Sequence, residues 1–329
     1  MQRQDKFYHI FYFAIKLIMK KLTLFIGFFV FSAFTLYAQT DIDGDMMAKK
    51  LLCVGPMYSY SSWKDYWEGT LKRENLNLGT VSTKMYSAMG NYGITNSLNI
   101  LFNLAYVGTN ASAGTMHGMR GFQDLSLVLK WRPISIETAN GRFSAIGVVG
   151  YSTPVSDYMS DYLPLSLGLH SNNLTMRAMA DYQYEKWFFT TSAAYIYRSN
   201  ITIDRNSYYT TEMHLTNQVQ MPDVANYNVR LGYRSKYVVA EAVLNNMTTL
   251  GGFDITRNNM PFPSNRMNST SAGTNFRYIP SHLHDLNLNA GFAYTLRGRN
   301  TGQSTIFYGG AFYIFHFSQK TKSTYQFQN

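Results

Sequence analysis

Residues 91–107 run NYGITNSLNILFNLAYV. From Leu98, every second residue is large and apolar: Leu98, Ile100, Phe102, Leu104 and Tyr106. Between them stand Asn99, Leu101, Asn103, Ala105 and Val107. Period-two alternation marks a strand with two unlike faces. In a soluble sheet the apolar face packs inward and the polar face meets water. In a membrane barrel the order is reversed, with apolar residues toward lipid and polar residues around a lumen.

Composition favours the second arrangement. Of 329 residues, 46% are hydrophobic and 16% aromatic, with 26 Tyr and 22 Phe, while only 15% are charged. Soluble domains carry roughly 25% charged residues. Mean hydropathy is −0.20, as expected where a polar lumen dilutes the apolar set.

The start of the chain has the order of an export signal. MKKLTLFIGFFVFSAFTLYAQ begins at Met19 with two lysines, runs apolar from Leu22 to Leu36, and closes on small residues at Ala38. The apolar run falls short of the ~20 residues that span a bilayer as a helix, so cleavage after Ala38 is expected. Residues 1–18 form an extension upstream of that signal. The expected organisation is therefore 1–38 extension and signal, 39–49 a short periplasmic segment, 50–317 barrel, and 318–329 a tail. Residues 1–38 carry five basic side chains against Asp5, so removing them takes four from the net charge of +10 and leaves about +6. That surplus is scattered, which gives no nucleic-acid signature. One cysteine, Cys53, excludes an internal disulfide.

After Ala38 no run of 18 apolar residues remains. Strands are predicted near 50–61, 77–91, 98–108, 122–133, 142–153, 174–185, 187–198, 222–234, 237–247, 269–279, 286–297 and 305–317. Short turns fall at 95–97, 184–187 and 234–237, with medium ones at 135–141 and 280–285. Longer loops fall at 61–76, 109–121, 154–173, 199–221, 248–268 and 298–304. Short turns on one side and long loops on the other specify an all-β, transmembrane, up-and-down antiparallel barrel of about 12 strands, both termini periplasmic. Polar faces rich in Asn, Ser, Thr, Gly and Arg, and strands ending in Tyr, Phe or Trp, separate it from a soluble sandwich.

No catalytic constellation stands out, and neither a cofactor nor a metal site is expected. DIDGD, residues 41–45, begins like a calcium loop but has no Glu at the twelfth position, and reads as an exposed acidic N-terminus. His282, His284 and Asp285 in HLHD read as a polar turn. What remains is the lumen. Facing apolar residues to lipid turns inward Lys84, Lys130, Arg132, Arg142, Arg177, Arg198, Arg230, Arg234, Arg277 and Arg297, with Asp124, Asp181, Glu185 and Glu241 as the acidic members. An Arg or Lys on the lipid face at mid-depth costs ~2–4 kcal/mol. Ten basic residues against four acidic ones suit either salt-bridged ladders or an electropositive conduit for anionic solutes.

The segment from Tyr92, Gly93, Ile94 and Thr95 to Gly121, Asp124, Leu125 and Lys130 resembles the phenol-degradation meta-pathway family of outer-membrane barrels, which are similar in style to long-chain fatty-acid transporters. The resemblance covers about residues 90–155. It implies uptake of small hydrophobic, often aromatic, compounds across the bacterial outer membrane, with membrane lipid and the barrel-assembly machinery as partners. The basic lumen departs from that pattern and suits an acid better than a neutral hydrocarbon. A non-conducting barrel that anchors a secretion or adhesion complex is the alternative, and an outer-membrane enzyme a second one. The loops 154–173 and 199–221 are the expected gating or capture elements.

Overall fold

Period-two alternation becomes a single closed sheet in the computed structural model, which describes residues 40–256 and 259–317. The signal segment 1–38 and the tail 318–329 lie outside the described residues. Twelve strands form the wall: β1 (Leu51–Trp63), β2 (Val81–Gly93), β3 (Leu98–Ala111), β4 (Arg120–Thr138), β5 (Gly141–Pro154), β6 (Asn173–Tyr184), β7 (Trp187–Arg198), β8 (Val224–Arg234), β9 (Val238–Thr249), β10 (Asn268–Tyr278), β11 (Leu286–Arg299) and β12 (Thr305–His316). Each pairs antiparallel with its chain neighbour, and β12 closes on β1 from Leu51 opposite His316 to Ser62 opposite Thr305. Closure leaves no strand edge unpaired, as a lipid environment requires.

The sheet is inside out relative to a soluble protein. On β3, Ile100 and Tyr106 are exposed on the outer surface while Asn99 is fully buried inside. Cross-strand register aligns aromatic rows at both ends of the wall. Toward the long loops, Tyr58, Tyr86, Tyr106 and Phe122 stand side by side. Toward the short turns, Tyr184, Trp187 and Tyr233 do the same, with the Trp187 and Tyr233 rings 5.7 Å apart. Two aromatic belts around an apolar band match the two water–lipid interfaces.

Short turns connect β2–β3, β4–β5, β6–β7, β8–β9 and β10–β11, and both wall termini lie on that side. The connection expected as a medium turn at 135–141 is shorter, because β4 continues to Thr138 and β5 starts at Gly141. The long loops build a cap at the opposite end. Loop 155–172 turns into the barrel mouth, where Tyr158 and Leu167 pack on Ala105 and Val107, and Leu165 packs on Val81. A second apolar cluster joins Ile201, Ile203, Tyr208, Val219 and Met221 to Phe262 from the next loop.

The N-terminal segment differs from its expected exposure. Residues 40–49 enter the lumen from the short-turn end, leaving Asp43 and Asp45 only 3% and 6% exposed. Met47 packs on Cys53, Phe312 and Ile314 of the inner wall. With its amide oriented to suit, Asn99 bonds both the N–H and the C=O of Met47.

Candidate functional site

The inner wall at the short-turn half is a basic cluster built around these two carboxylates. Lys130, at an inward position of β4 and fully buried, donates to Asp43 Oδ1 (2.9 Å) and to the carbonyl oxygens of Thr40 (2.9 Å) and Asp43 (2.8 Å). All three ammonium protons are thereby satisfied. Arg277 of β10 donates to Asp45 Oδ2 at 2.9 Å, and Arg234 of β8 places Nε 3.2 Å from Asp45 Oδ1. Arg234 also reaches Asp181 at 3.3 Å and donates to Gln183 Oε1 at 2.9 Å, its guanidinium 4.0 Å above the Phe188 ring. Thr190 donates to Asp181. Buried charges persist only when paired and hydrogen-bonded, and each of these is.

Two glycines set how closely the segment approaches the wall. A Cβ on Gly44 would stand 2.1 Å from Asp181 Oδ1, and one on Gly93 would stand 2.1 Å from the Ala48 carbonyl oxygen. Inside the segment, Asp43 folds the chain by accepting from the Asp45 N–H (3.0 Å) and the Thr40 hydroxyl (3.0 Å), an Asx turn.

Higher in the lumen, Arg230 pairs with Glu241 at 2.5 Å, and Asn275 donates to the same carboxylate at 2.8 Å. Arg177 is buried and donates only to neutral partners, Ser192 Oγ (2.9 Å) and Asn226 Oδ1 (3.0 Å). Among the described residues it makes no ion pair. Two residues along the same inward face, Thr175 lines a cavity of about 170 Å³ between the N-terminal segment and the wall, shared with Thr40, Asp41, Asn91, Asn103 and Ser126. A cavity of roughly 150 Å³ suffices for benzene.

The remaining expected lumen residues divide by position. Asp124 faces the mouth and accepts from the Tyr158 hydroxyl at 2.9 Å. Arg198 lies at the long-loop end of β7, half-buried. Arg132 and Arg142 are half-buried at the short-turn rim, where Arg132 donates to the Asn96 carbonyl oxygen at 3.2 Å.

Three expected lumen residues are corrected. Lys84 is on the outer surface, because the inward face of β2 is Val81, Thr83, Met85, Ser87, Met89 and Asn91, and Tyr86 beside it faces lipid. Its place near the long-loop end of the strand lets its ammonium reach the headgroup level. Glu185 is exposed in the β6–β7 turn with φ 50°, a left-handed turn position outside the lumen. Arg297 follows a bulge at Thr270/Ser271 that shifts the register, so it pairs with Thr270 and is exposed at the outer rim. Sequence reasoning also passed over Asp43 and Asp45. The usable signal was charge complementarity: two acids two residues apart, next to a lumen with a large basic excess. In the HLHD turn, Asp285 pairs with His316 at 2.8 Å.

No family model and no curated protein matches this chain. Among solved structures, the COG4313 outer membrane channel from Pseudomonas putida F1 superposes with a TM-score of 0.65 at 13% identity, covering 85% of this chain and all of that one. The translocator domain of the autotransporter NalP from Neisseria meningitidis (TM-score 0.42, 12% identity, 83% of this chain and 90% of that one) is more distant. So is the CymD monoaromatic hydrocarbon channel (TM-score 0.36, 12% identity, 83% and 90%). In fold, this chain is a twelve-stranded outer-membrane β-barrel of the kind solved for the COG4313 channel.

Proposed function

We propose that the protein is a channel of the bacterial outer membrane for small aromatic or otherwise hydrophobic solutes, with a preference for those that carry a carboxylate. The observation that supports this most is Arg177: a buried guanidinium, bonded only to neutral groups, two residues along the strand from Thr175 in the lining of a benzene-sized cavity. An aromatic acid supplies a ring for the cavity and a carboxylate that Arg177 can bond directly, where Asp41 at the cavity edge acts on it only through space. The fold shared with a solved outer-membrane channel agrees with this reading. Lipid around the aromatic belts and insertion by the barrel-assembly machinery belong to the same proposal.

The test is flux into liposomes of benzoate against benzyl alcohol, a neutral analogue of similar size. A hydrogen bond to a charged group contributes about 1.5–3 kcal/mol, and 1.4 kcal/mol is a factor of ten. Arg177→Gln is therefore expected to lower the benzoate preference about tenfold or more while sparing benzyl alcohol. A non-conducting anchor passes neither solute, before or after the substitution.

A further inference from the structure

We propose that Lys130, Arg234 and Arg277 form a carboxylate-binding station of the lumen, which the chain's own Asp43 and Asp45 occupy as tethered stand-ins for a permeating acid. This rests on the channel reading above and specifies where in the lumen the acid binds and what it must displace.

The argument starts from charge. Three buried cations meet three carboxylates, Asp43, Asp45 and Asp181, so the occupied cluster is neutral. Two of those carboxylates belong to a segment outside every strand; only Asp181 is fixed in the wall. When the segment leaves, three cations remain against one anion, an excess of two positive charges facing the vacated lumen. Such a site attracts carboxylates, because cations clustered on a low-dielectric wall focus their field on the space they line. Arg234 and Arg277, which flank Val239 on the two strands either side of it, converge on the two oxygens of one carboxylate, Asp45. That geometry recognises the group itself, whichever molecule carries it.

The occupant's chemistry points the same way. A permanent stopper gains at least as much from apolar packing as from ion pairs, since a buried pair often contributes nothing beyond well-packed hydrophobic residues. Here the tip of the segment is held by charge, and the apolar cluster that the segment joins is built on Met47 at its base. Ion pairs are exchangeable in a way that interdigitated side chains are not. The cavity that would receive the ring of an incoming acid already borders Thr40 and Asp41 at the tip. An acid that binds only when the segment is out shifts the population outward by a factor of 1 + [L]/Kd. Against a short tether, competition falls on the order of millimolar.

The experiment uses the full mature chain in liposomes with Ile42→Cys, half-buried in the segment, as a reporter. Modification by a neutral maleimide is followed with benzoate or benzyl alcohol present, and the parent chain, whose Cys53 is 2% exposed, gives the baseline. Benzoate is expected to raise the labelling rate about elevenfold at ten times its dissociation constant, and benzyl alcohol to leave it unchanged. Asp43→Asn with Asp45→Asn is expected to raise the rate without any acid. If neither benzoate nor the double substitution changes the rate, the station is overturned, even if benzoate crosses the membrane. If benzoate accelerates labelling but crosses in no variant, the station stands and the channel reading falls.

Discussion

Gly44 shows how much one hydrogen atom can decide. Its position against Asp181 leaves no room for a methyl group, so Gly44→Ala must lift the segment or push Asp181 off Arg234 and Thr190. The wall does not depend on that contact. We expect the variant to keep its barrel, with resistance to SDS unfolding without heating unchanged, while protease cleavage within residues 40–49 becomes readily detectable. Lys130→Met acts at the same place from the other side. Removing one partner of a buried pair costs about 3–5 kcal/mol, here charged to Asp43, so the same cleavage is expected with the barrel again intact. A variant that loses the barrel would instead make Lys130 architectural.

Among elements, the loops and the strands were not equally legible. Most of the twelve strands follow from alternation, which is less clear in the first and the last, and their order follows from the lengths of the connections, because both depend on local sequence. Where the alternation is broken, the sequence misleads. The bulge in the β10–β11 pairing turns Arg297 outward, and on β2 the alternation of Met with Ala and Gly hides which face meets lipid. The docking of residues 40–49 was equally hidden, since it depends on Lys130, Arg234 and Arg277 converging from positions far apart in sequence. The loop at 250–267 shows a similar long-range tie. Asp254 meets the Arg299 guanidinium at 2.6 Å and accepts from Asn300 at 2.7 Å. Hydrogen bonds from Arg299, outweighing a small desolvation, hold its carboxyl down at about 2. A depressed carboxyl contributes stability that is complete above its unfolded value of 3.8 and lost as pH falls through 2. The pair is half-exposed and partly screened by solvent, so the effect is local. Hydrogen exchange in this loop is expected to stay constant, after correction for intrinsic rates, from pH 7 to pH 4 and to quicken from pH 4 to pH 2. Asp254→Asn removes the dependence.

For the whole molecule, sidedness is the property on which everything else stands. Leu127 lies mid-strand on β4, 47% exposed on the outer surface. Leu127→Arg is expected to destabilise the folded barrel by ~2–4 kcal/mol in bilayers, read from urea titrations in vesicles. The same guanidinium is carried inside without penalty at Arg230, because Glu241 and Asn228 receive it. A soluble barrel would show the opposite pattern, tolerating Arg at 127.

Lys50 is where the segment leaves the wall. It adopts φ 63°, donates its N–H to the Gly93 carbonyl oxygen at 2.7 Å, and accepts from the Phe317 N–H at 3.0 Å. Both neighbouring strands therefore clamp this one residue, and in the proposed opening it is the fixed pivot for the ten residues before it. Reclosure is then a first-order event, indifferent to how many copies populate the membrane. Ten-residue loops close in roughly 10–100 ns, far faster than a bilayer recording resolves. Unliganded opening should thus contribute only excess current noise, and discrete steps should emerge only while an acid keeps the pivoting chain from returning.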